Sequence, residues 1–279
     1  MPTKAKSFRQ LFWRFARPLI AAYLLALVGV VTFQNKLIYF PTRASEVNLL
    51  EGARRVELEP WRDESGAIIG WRSQHPQSPT EARFLVLHGN AGYALHRWPY
   101  AAGFSEVLSC EVYILEYPGY GARAGSPSES SLLDAGEQAL RLLKKGSALP
   151  VFVLGESIGS GVAAGVAARA PDLVSGLIML TPLSCLDDVA AYHFPWLPVR
   201  LLLRDHYPAI EWLKKYHGPL AVTLASDDEV IPNKFGQKLF DSYAGPKRLW
   251  TKPGMHNTIH TSLDPLWWRA VVEFVRRGR

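Results

Sequence analysis

Short runs rich in apolar residues, each followed by a glycine-rich or polar break, recur along the chain after residue 80. Runs of this length are typical of strands buried on both faces. The predicted strands are residues 83–87, 112–117, 151–154, 176–180, 220–225 and 247–251. Predicted helices lie at about residues 94–108, 128–145, 160–168, 209–216, 234–243 and 264–276. This alternation predicts an α/β fold, with a mostly parallel central sheet and helices on both faces.

Three stretches do not follow this alternation. Residues 54–59 and 67–73 carry alternating or β-branched positions and predict an antiparallel pair of strands at the start of the domain. Residues 74–81 are rich in turn formers and predict a loop. Residues 182–207 combine several aromatic residues with prolines and predict an irregular lid or wall over a site, although plain surface packing explains them equally well.

The N-terminal part has a different composition. Between Arg17 and Lys36 lie 18 uncharged residues, most of them strongly apolar. As a helix they would span about 27 Å, enough to cross the hydrocarbon core of a bilayer. Five basic residues precede this stretch, and no acidic residue does: Lys4, Lys6, Arg9, Arg14 and Arg17. We therefore expect a basic segment at 1–17, a transmembrane signal anchor at 18–35 and a folded domain at 36–279.

Two other interpretations of the apolar stretch stay open. A cleaved signal peptide needs a small-x-small site, and none near residues 28–33 is convincing. A buried helix of a soluble protein would leave the upstream positive charges without a role. An uncleaved anchor predicts a single-pass membrane protein with a cytoplasmic N-terminus and with its domain on the far side, which is periplasmic or extracytoplasmic in a bacterium.

The charge balance bears on possible partners. The chain has 31 basic and 25 acidic residues, a net charge of +6. Five of the basic residues precede the anchor, which leaves 26 basic against 25 acidic residues in the remainder. A nearly neutral domain argues against a nucleic-acid partner. Cys110 and Cys185 are too few for a disulfide framework and are best explained as buried free thiols, although a single bridge stays open.

The most informative motif directly follows the predicted strand at 151–154. Gly155-Glu156-Ser157-Ile158-Gly159 has the spacing G-x-S-x-G, and a helix of mostly small residues follows it. A serine at the apex of a sharp strand-to-helix turn leaves no room for side chains two positions before and after it, so glycine is needed at both. The spacing predicts a nucleophile at Ser157, against the alternative of an ordinary serine in a glycine-rich turn.

A serine nucleophile requires a base, an acid that orients the base, and donors for the anion that forms. Asp227 and Asp228 follow one predicted strand, and His256 follows the last one. Open α/β sheets hold their sites just beyond the carboxyl ends of strands. The glycine-rich loop 88–92 also follows a strand and can supply a backbone N–H. A phosphate cradle is the other interpretation of this loop, but neither G-x-G-x-x-G nor G-K-[ST] is present.

A zinc site is the competing interpretation of the C-terminal histidines. His256 and His260 are spaced i, i+4, as in a zinc-binding helix. Asn257 stands where the H-E-x-x-H motif requires glutamate, and Gly254 indicates a loop. We therefore expect no metal. We expect His88 to support its own loop.

Together these motifs resemble the α/β-hydrolase superfamily, and more narrowly its single-pass, membrane-anchored α/β-hydrolase-domain serine hydrolases of bacteria and eukaryotes. The likeness runs from about Lys36 to the C-terminus and is carried by KLIYFPTR, LHGNAG, EYPGYG, GESIGSG, SDDEVIP and GMHN. Glu116 stands where relatives often have aspartate, and Pro118 where many have arginine. Neither position belongs to the implied catalytic set.

The resemblance implies that Ser157 is the nucleophile and His256 its general base and later acid. Asp228, the aspartate of D-x-x-I-P, is implied to orient the imidazole. The N–H groups implied for the oxyanion hole are those of Ile158 and of Asn90 or Ala91. The implied reaction is hydrolysis of carboxylic esters or thioesters through an acyl-enzyme, without metal or organic cofactor. Its substrate would be a small or lipid-like acyl compound, such as one drawn from the membrane that holds the protein.

Two alternatives to an esterase stay open at this point. A serine peptidase or amidase would use the same side chains on the same fold. A noncatalytic, membrane-tethered binding module is the alternative of another class. The presence of serine, acid and histidine together argues against that module, which would need none of them.

Overall fold

The computed structural model describes residues 4–74 and 78–278. Its strands are β1 (Phe40–Pro41), β2 (Leu58–Arg62), β3 (Ile68–Ser73), β4 (Ala82–Leu87), β5 (Ala91–Gly92), β6 (Cys110–Leu115), β7 (Val151–Glu156), β8 (Gly176–Leu180), β9 (Leu220–Ala225) and β10 (Lys247–Lys252). Its helices are α1 (Lys4–Ile38), α2 (Glu46–Arg55), α3 (Trp98–Val107), α4 (Glu129–Lys144), α5 (Ile158–Arg169), α6 (Leu186–His193), α7 (Val199–Leu202), α8 (Ala209–Leu213), α9 (Asn233–Ser242) and α10 (Pro265–Arg277). Short 3₁₀ turns lie at Ala94–Arg97, Pro171–Leu173 and Ile259–Ser262.

The central sheet has eight strands in the order β10-β9-β8-β7-β4-β6-β3-β2. The six strands from β10 to β6 are parallel to one another. At one edge, β3 pairs antiparallel with β6 and with β2. The predicted mostly parallel sheet is confirmed, and so is the antiparallel pair at the start of the domain. The carboxyl ends of the parallel strands therefore lie along one edge.

Helices cover both faces of this sheet, because side chains along each strand point alternately to either side. On β4, Leu85 and Leu87 belong to the core beneath α4 and α5. Phe84 and Val86 belong to the second core, beneath α3 and α10. All four side chains are fully buried, which accounts for the uninterrupted apolar run in this strand.

The expectation for residues 54–59 was wrong in its boundaries. Helix α2 extends to Arg55, and β2 begins only at Leu58. Ser45 caps this helix by accepting a hydrogen bond from Asn48 N at 3.3 Å. The cap and the helical apolar spacing of Leu49 and Ala53, both buried, outweigh the β-branched local composition. Of the loop predicted at 74–81, residues 75–77 lie outside the described part of the chain.

Helix α1 is longer than the predicted anchor at 18–35, since it runs without interruption through Pro18 to Ile38. By length and composition, residues 10–38 could cross a membrane, with a mean hydropathy of 1.9. Most of the described side chains of the helix are exposed, and its C-terminal half, from Tyr23 onwards, contacts the folded domain. Gln34, for example, is buried.

The stretch at 182–207 is more regular than expected. It contains helix α6 and the short helix α7, joined by a segment with two prolines. Its end is fixed by Tyr39, whose hydroxyl donates to Asp205 Oδ2 at 2.6 Å and lies 2.8 Å from the Tyr207 hydroxyl. We use the term lid segment for residues 182–207 below; its action as a lid stays a proposal.

Candidate active site

Ser157 lies at the sharp turn between β7 and α5. Its φ of 56° and ψ of −124° place a non-glycine residue in a strained backbone region. A Cβ on Gly155 would lie 2.4 Å from Gly159 O, and a Cβ on Gly159 would lie 2.2 Å from Leu87 O. Since neither collision can be relieved by a side-chain rotation, the turn requires both glycines.

The Ser157 side chain lies beside an imidazole. The Ser157 hydroxyl lies 2.8 Å from His256 Nε2 and can donate to it. His256 comes from the loop after β10, 99 residues further along the chain. The side chain of His256 is 6% exposed, and Ser157 is equally buried. A neutral imidazole in this position can take the hydroxyl proton, which is the role of a general base.

Asp228 holds the other side of the imidazole. His256 Nδ1 lies 2.8 Å from Asp228 Oδ2 and 3.0 Å from Oδ1. Asp228 Oδ1 also accepts hydrogen bonds from Val230 N at 3.0 Å and Ile231 N at 2.7 Å. The carboxylate is thus oriented by two backbone donors within its own loop, and its side chain is 1% exposed.

The neighbouring acidic residues have different surroundings. Asp227 is exposed, and its Oδ2 accepts a hydrogen bond from Ser226 Oγ at 2.6 Å. Glu229 Oε2 accepts from the backbone N of His256 at 3.3 Å. The structure therefore brings together Ser157, His256 and Asp228, and leaves Asp227 at the surface.

The loop between β4 and β5 lies directly against the serine. A Cβ on Gly89 would be 3.5 Å from Ser157 Cβ. Ile158 opens helix α5, and the first N–H groups of a helix have no intrahelical acceptor. The structure thus brings the loop that holds Asn90 and Ala91 beside Ser157, where α5 begins with Ile158. Backbone donors at such a position can stabilise the charge of a tetrahedral intermediate, so the oxyanion hole stays a prediction for these three residues.

Sequence reasoning missed how this loop is held. Asn90 Nδ2 donates to Ile38 O at 2.9 Å, and Asn90 O accepts from Phe40 N at 2.9 Å and from the Tyr120 hydroxyl at 2.7 Å. Phe40 also pairs with Ala91 in the parallel ladder of β1 and β5. The segment that follows α1 therefore forms part of the wall behind the site. The only local signal was the β propensity of Ile38 to Phe40, next to a predicted anchor.

His88 lies at the start of the same loop and is fully buried. Burial, with the nearby Arg97 guanidinium, lowers the pKa of His88 to about 3, so its imidazole is neutral near pH 7. Its Nδ1 lies 2.8 Å from Gly89 O and, as an N–H, donates to it. This contact supports the loop, as expected from the sequence.

Glu116 is a buried carboxyl behind the loop. Its Oε1 accepts a hydrogen bond from Ala94 N at 2.9 Å and lies 3.7 Å from His88 Nε2. Burial raises the pKa of Glu116 from 4.5 to about 7. A Cβ on Gly121 would lie 2.5 Å from Glu116 Oε2, so the carboxyl is packed closely against the backbone of Gly121.

Glu156, next to the serine, forms a bidentate ion pair. Arg97 Nε lies 2.6 Å from Glu156 Oε2, and Arg97 Nη2 lies 3.0 Å from Oε1. Burial by itself would raise the pKa of Glu156, but the Arg97 charge and hydrogen bonds lower it below its ordinary value. The pair lines a cavity of about 230 Å³ that also includes Ala91 and Asn257, which are neighbours in sequence of Asn90 and His256. Neither this cavity nor a larger one of about 680 Å³ beside α4 is lined by Ser157, His256 or Asp228.

The competing zinc interpretation, which the sequence disfavours, has no support in the geometry of His256 and His260. Both ring nitrogens of His256 are used, one by Ser157 and one by Asp228. His260 lies on the 3₁₀ turn Ile259–Ser262. Across residues 4–74 and 78–278, no group of three or more His, Cys, Asp and Glu side chains is placed to hold a metal ion. Cys110 and Cys185 are free; Cys110 is buried, and Cys185 is only partly buried.

Comparison with known proteins identifies the class. The family model for the alpha/beta hydrolase fold matches residues 82–256. A Mycobacterium tuberculosis protein described as uncharacterized is 33% identical over 272 residues, which cover 94% of each chain. Protein bem46 of Schizosaccharomyces pombe is 33% identical over 193 residues, covering 63% of this chain and 62% of that protein. This chain belongs to the α/β-hydrolase family and has its fold. Membership of this family supports a hydrolase activity.

Solved structures show the same fold at low sequence identity. An esterase of Pyrococcus furiosus is 18% identical, with a TM-score of 0.63 over 86% of this chain and 98% of that one. A monoacylglycerol lipase of Paleococcus ferrophilus is 15% identical, with a TM-score of 0.54 over 75% of this chain and 99% of that one. The membrane-anchored character expected from the resemblance fits the apolar helix α1.

The different surroundings of Asp227 and Asp228 lead to a first prediction. Asp228→Asn should lower kcat on an activated ester by orders of magnitude, because the imidazole loses the carboxylate that sets its tautomer. Asp227→Asn, the matched control one residue away, should leave kcat within about twofold, since surface substitutions have small effects. The measurement is steady-state kcat for both variants near neutral pH. A large loss in Asp227→Asn with near-normal Asp228→Asn would reverse the assignment.

Glu116 leads to a second prediction, on stability against pH. Because burial raises the pKa of Glu116 to about 7, the folded protein keeps a proton that the unfolded chain releases above about pH 4.5. The contribution of Glu116 to the free energy of unfolding is therefore complete below about pH 4.5 and is lost as the pH rises towards 7. Glu116→Gln, which cannot ionise, should gain stability relative to the wild type over this interval, by at most on the order of 3 kcal/mol.

The measurement is thermal unfolding of both proteins in detergent from pH 4.5 to 8. Glu106→Gln, at an exposed glutamate on α3, is the matched control and should run parallel to the wild type. A constant difference between Glu116→Gln and the wild type across this range would contradict the prediction.

Proposed function

We propose that this protein is a serine hydrolase that cleaves carboxylic esters or thioesters through an acyl-enzyme. The observation that carries the proposal is the continuous hydrogen-bonded chain from Ser157 Oγ to His256 at 2.8 Å and from His256 to Asp228 at 2.8 Å. Three side chains from distant parts of the sequence meet in this order at a strained turn. A structural role would require neither the strain nor the order.

In the first step, His256 Nε2 takes the Ser157 proton while Oγ attacks the acyl carbon of the substrate. The backbone N–H of Ile158 and that of Asn90 or Ala91 stabilise the tetrahedral oxyanion. His256 then gives the proton to the departing alkoxide or thiolate, which leaves Ser157 acylated. Asp228 keeps the imidazole in the required tautomer and stabilises its protonated form.

In the second step, water replaces the leaving group. His256 removes a proton from the water as it attacks the acyl carbon of the ester on Ser157. A second tetrahedral anion forms in the same hole, and its collapse releases the carboxylic acid. His256 returns the proton to Ser157 Oγ, so the cycle needs no metal or organic cofactor.

Ester or thioester substrates are favoured over amides by the structural neighbours, which include an esterase and a monoacylglycerol lipase. Exposed apolar side chains near the site support the same choice. Val230 and Met255, which flank Asp228 and His256 in their loops, are 38% and 51% exposed. A hydrophobic acyl group would find contacts there.

Membrane anchoring by α1 is part of the proposal. The basic N-terminal residues and the long apolar helix support a single-pass protein with a cytoplasmic N-terminus and the hydrolase domain on the other side. An anchored enzyme of this kind would meet lipid-like acyl substrates at the bilayer surface.

The nucleophile is tested by Ser157→Ala. This variant should lose fluorophosphonate labelling and roughly 10⁴-fold or more of kcat on p-nitrophenyl esters, because the attacking oxygen is gone. Ser130→Ala, at an exposed serine on α4, is the control and should keep both activities. Esters of graded chain length and a matched anilide series on the wild type separate an esterase from an amidase. Undiminished ester hydrolysis by Ser157→Ala would end the serine-hydrolase proposal.

The membrane topology has its own test. Full-length protein should stay in the membrane fraction through alkaline carbonate extraction, because the apolar helix is buried in lipid. A reporter fused after residue 279 should be protected from protease added to the cytoplasmic side. Carbonate-soluble protein with an intact N-terminus, or a reporter accessible from the cytoplasm, would contradict the proposed topology.

A further inference from the structure

The lid segment carries an unusual number of exposed apolar side chains. Tyr192 is 50% exposed, Phe194 48%, Trp196 61% and Leu201 86%. They lie within ten residues of one another, on α6, α7 and the segment between them. Clustered exposure of large apolar side chains marks an interaction surface rather than an ordinary solvated one.

This part of the lid segment is attached to the apolar helix α1. The Tyr23 hydroxyl donates to Trp196 O at 3.0 Å. Eleven residues further along the helix, Gln34 Nε2 donates to Leu202 O at 3.2 Å, and Gln34 Oε1 accepts from Arg204 N at 2.8 Å. The two attachment points are about 16 Å apart along the helix axis. The lid segment therefore runs beside the half of α1 that is nearest to the folded domain.

The backbone of this segment is suited to an environment without water. Hydrogen bonds within it join Leu197 N to Phe194 O, Leu201 N to Pro198 O and Leu203 N to Val199 O. Pro195 and Pro198 have no N–H to satisfy. Tyr23 and Gln34 supply partners for the carbonyls of Trp196 and Leu202 and for the N–H of Arg204. These contacts satisfy part of the irregular backbone with protein groups, as non-helical backbone at membrane depth requires.

We propose that residues 192–203 are inserted into the lipid leaflet next to α1, with Phe194, Trp196 and Leu201 in contact with acyl chains. The inference rests on the proposed anchor, since its reference point is the depth of α1 in the bilayer. The exposed cations in or next to these elements suit the anionic headgroups at the leaflet surface; they are Lys36, Arg200, Arg204 and Lys234.

The insertion would place the candidate site at the membrane. His193 Nε2, at the end of α6, lies 2.8 Å from Val230 O. Val230 belongs to the loop that holds Asp228, and its own N–H donates to that carboxylate. The inserted segment is thus linked to Asp228 through a single residue, Val230. A lipid-like ester could pass from the leaflet to Ser157 along apolar surface without crossing bulk water.

The test uses full-length protein in vesicles of phosphatidylcholine and phosphatidylglycerol. In a background with Cys110→Ala and Cys185→Ala, a single cysteine is introduced by Leu201→Cys and labelled with a nitrobenzoxadiazole dye. Leu25→Cys, at a site on α1 that is 72% exposed, provides the lipid reference. Leu266→Cys, on α10 across the sheet and 79% exposed, provides the matched control for an apolar surface residue in water.

Dye at position 201 should be quenched by nitroxide on the lipid chains as strongly as dye at position 25, and several-fold more than dye at position 266. Aqueous iodide should show the opposite order. Quenching at position 201 that matches position 266 would overturn the inference, and so would a water-exposed dye at position 25. Far-UV circular dichroism verifies that each labelled variant is folded. Since quenching is independent of activity, loss of ester hydrolysis and loss of lipid contact are separate results.

Discussion

The turn at Ser157 is the constraint on which the rest of the site depends. A serine with φ of 56° costs on the order of 1–3 kcal/mol relative to relaxed backbone. Its N–H donates to Leu180 O at 2.9 Å, and its carbonyl accepts from Ser160 Oγ at 2.6 Å, so bonds on both sides hold the turn. The strain is offset by the packing of α5 on the sheet, where nearly every residue of the helix is buried. The gain is an Oγ fixed towards His256 before any substrate arrives.

A parallel sheet makes this arrangement possible because it collects loops from distant parts of the chain at one edge. Ser157 follows β7, Asp228 follows β9 and His256 follows β10, while the glycine-rich loop follows β4. Each loop is then fixed by its own short-range bonds, such as those from Val230 N and Ile231 N to Asp228. The sheet determines which loops meet, and local hydrogen bonds determine which side chain of each loop faces the site.

Local sequence rules predicted the features that local forces produce. The apolar runs located the parallel strands, and β8 and β9 have the predicted boundaries. The glycine spacing predicted the turn, whereas the choice of Asp228, whose carboxylate lies beside His256, came from the family resemblance at D-x-x-I-P. The contacts that could not be predicted join residues far apart in sequence, such as Arg97 with Glu156 or Asn90 with Ile38. Such pairs leave no periodicity in the chain, since either partner alone resembles an ordinary surface residue.

The least predictable result is that the apolar helix α1 is joined to the folded domain by hydrogen bonds and not by a flexible linker. Within six residues of its end, Gln34 bonds the lid segment, Ile38 O accepts from Asn90, and Phe40 pairs with Ala91. Tyr39 between them is buried against Asp205. A flexible linker would need several unconstrained residues to let the domain rotate relative to the helix. Residues 34–40 are instead held by the contacts just described. The direction of α1 therefore sets the direction in which Ser157 faces, because the helix and the loop beside Ser157 share one hydrogen-bonded connection.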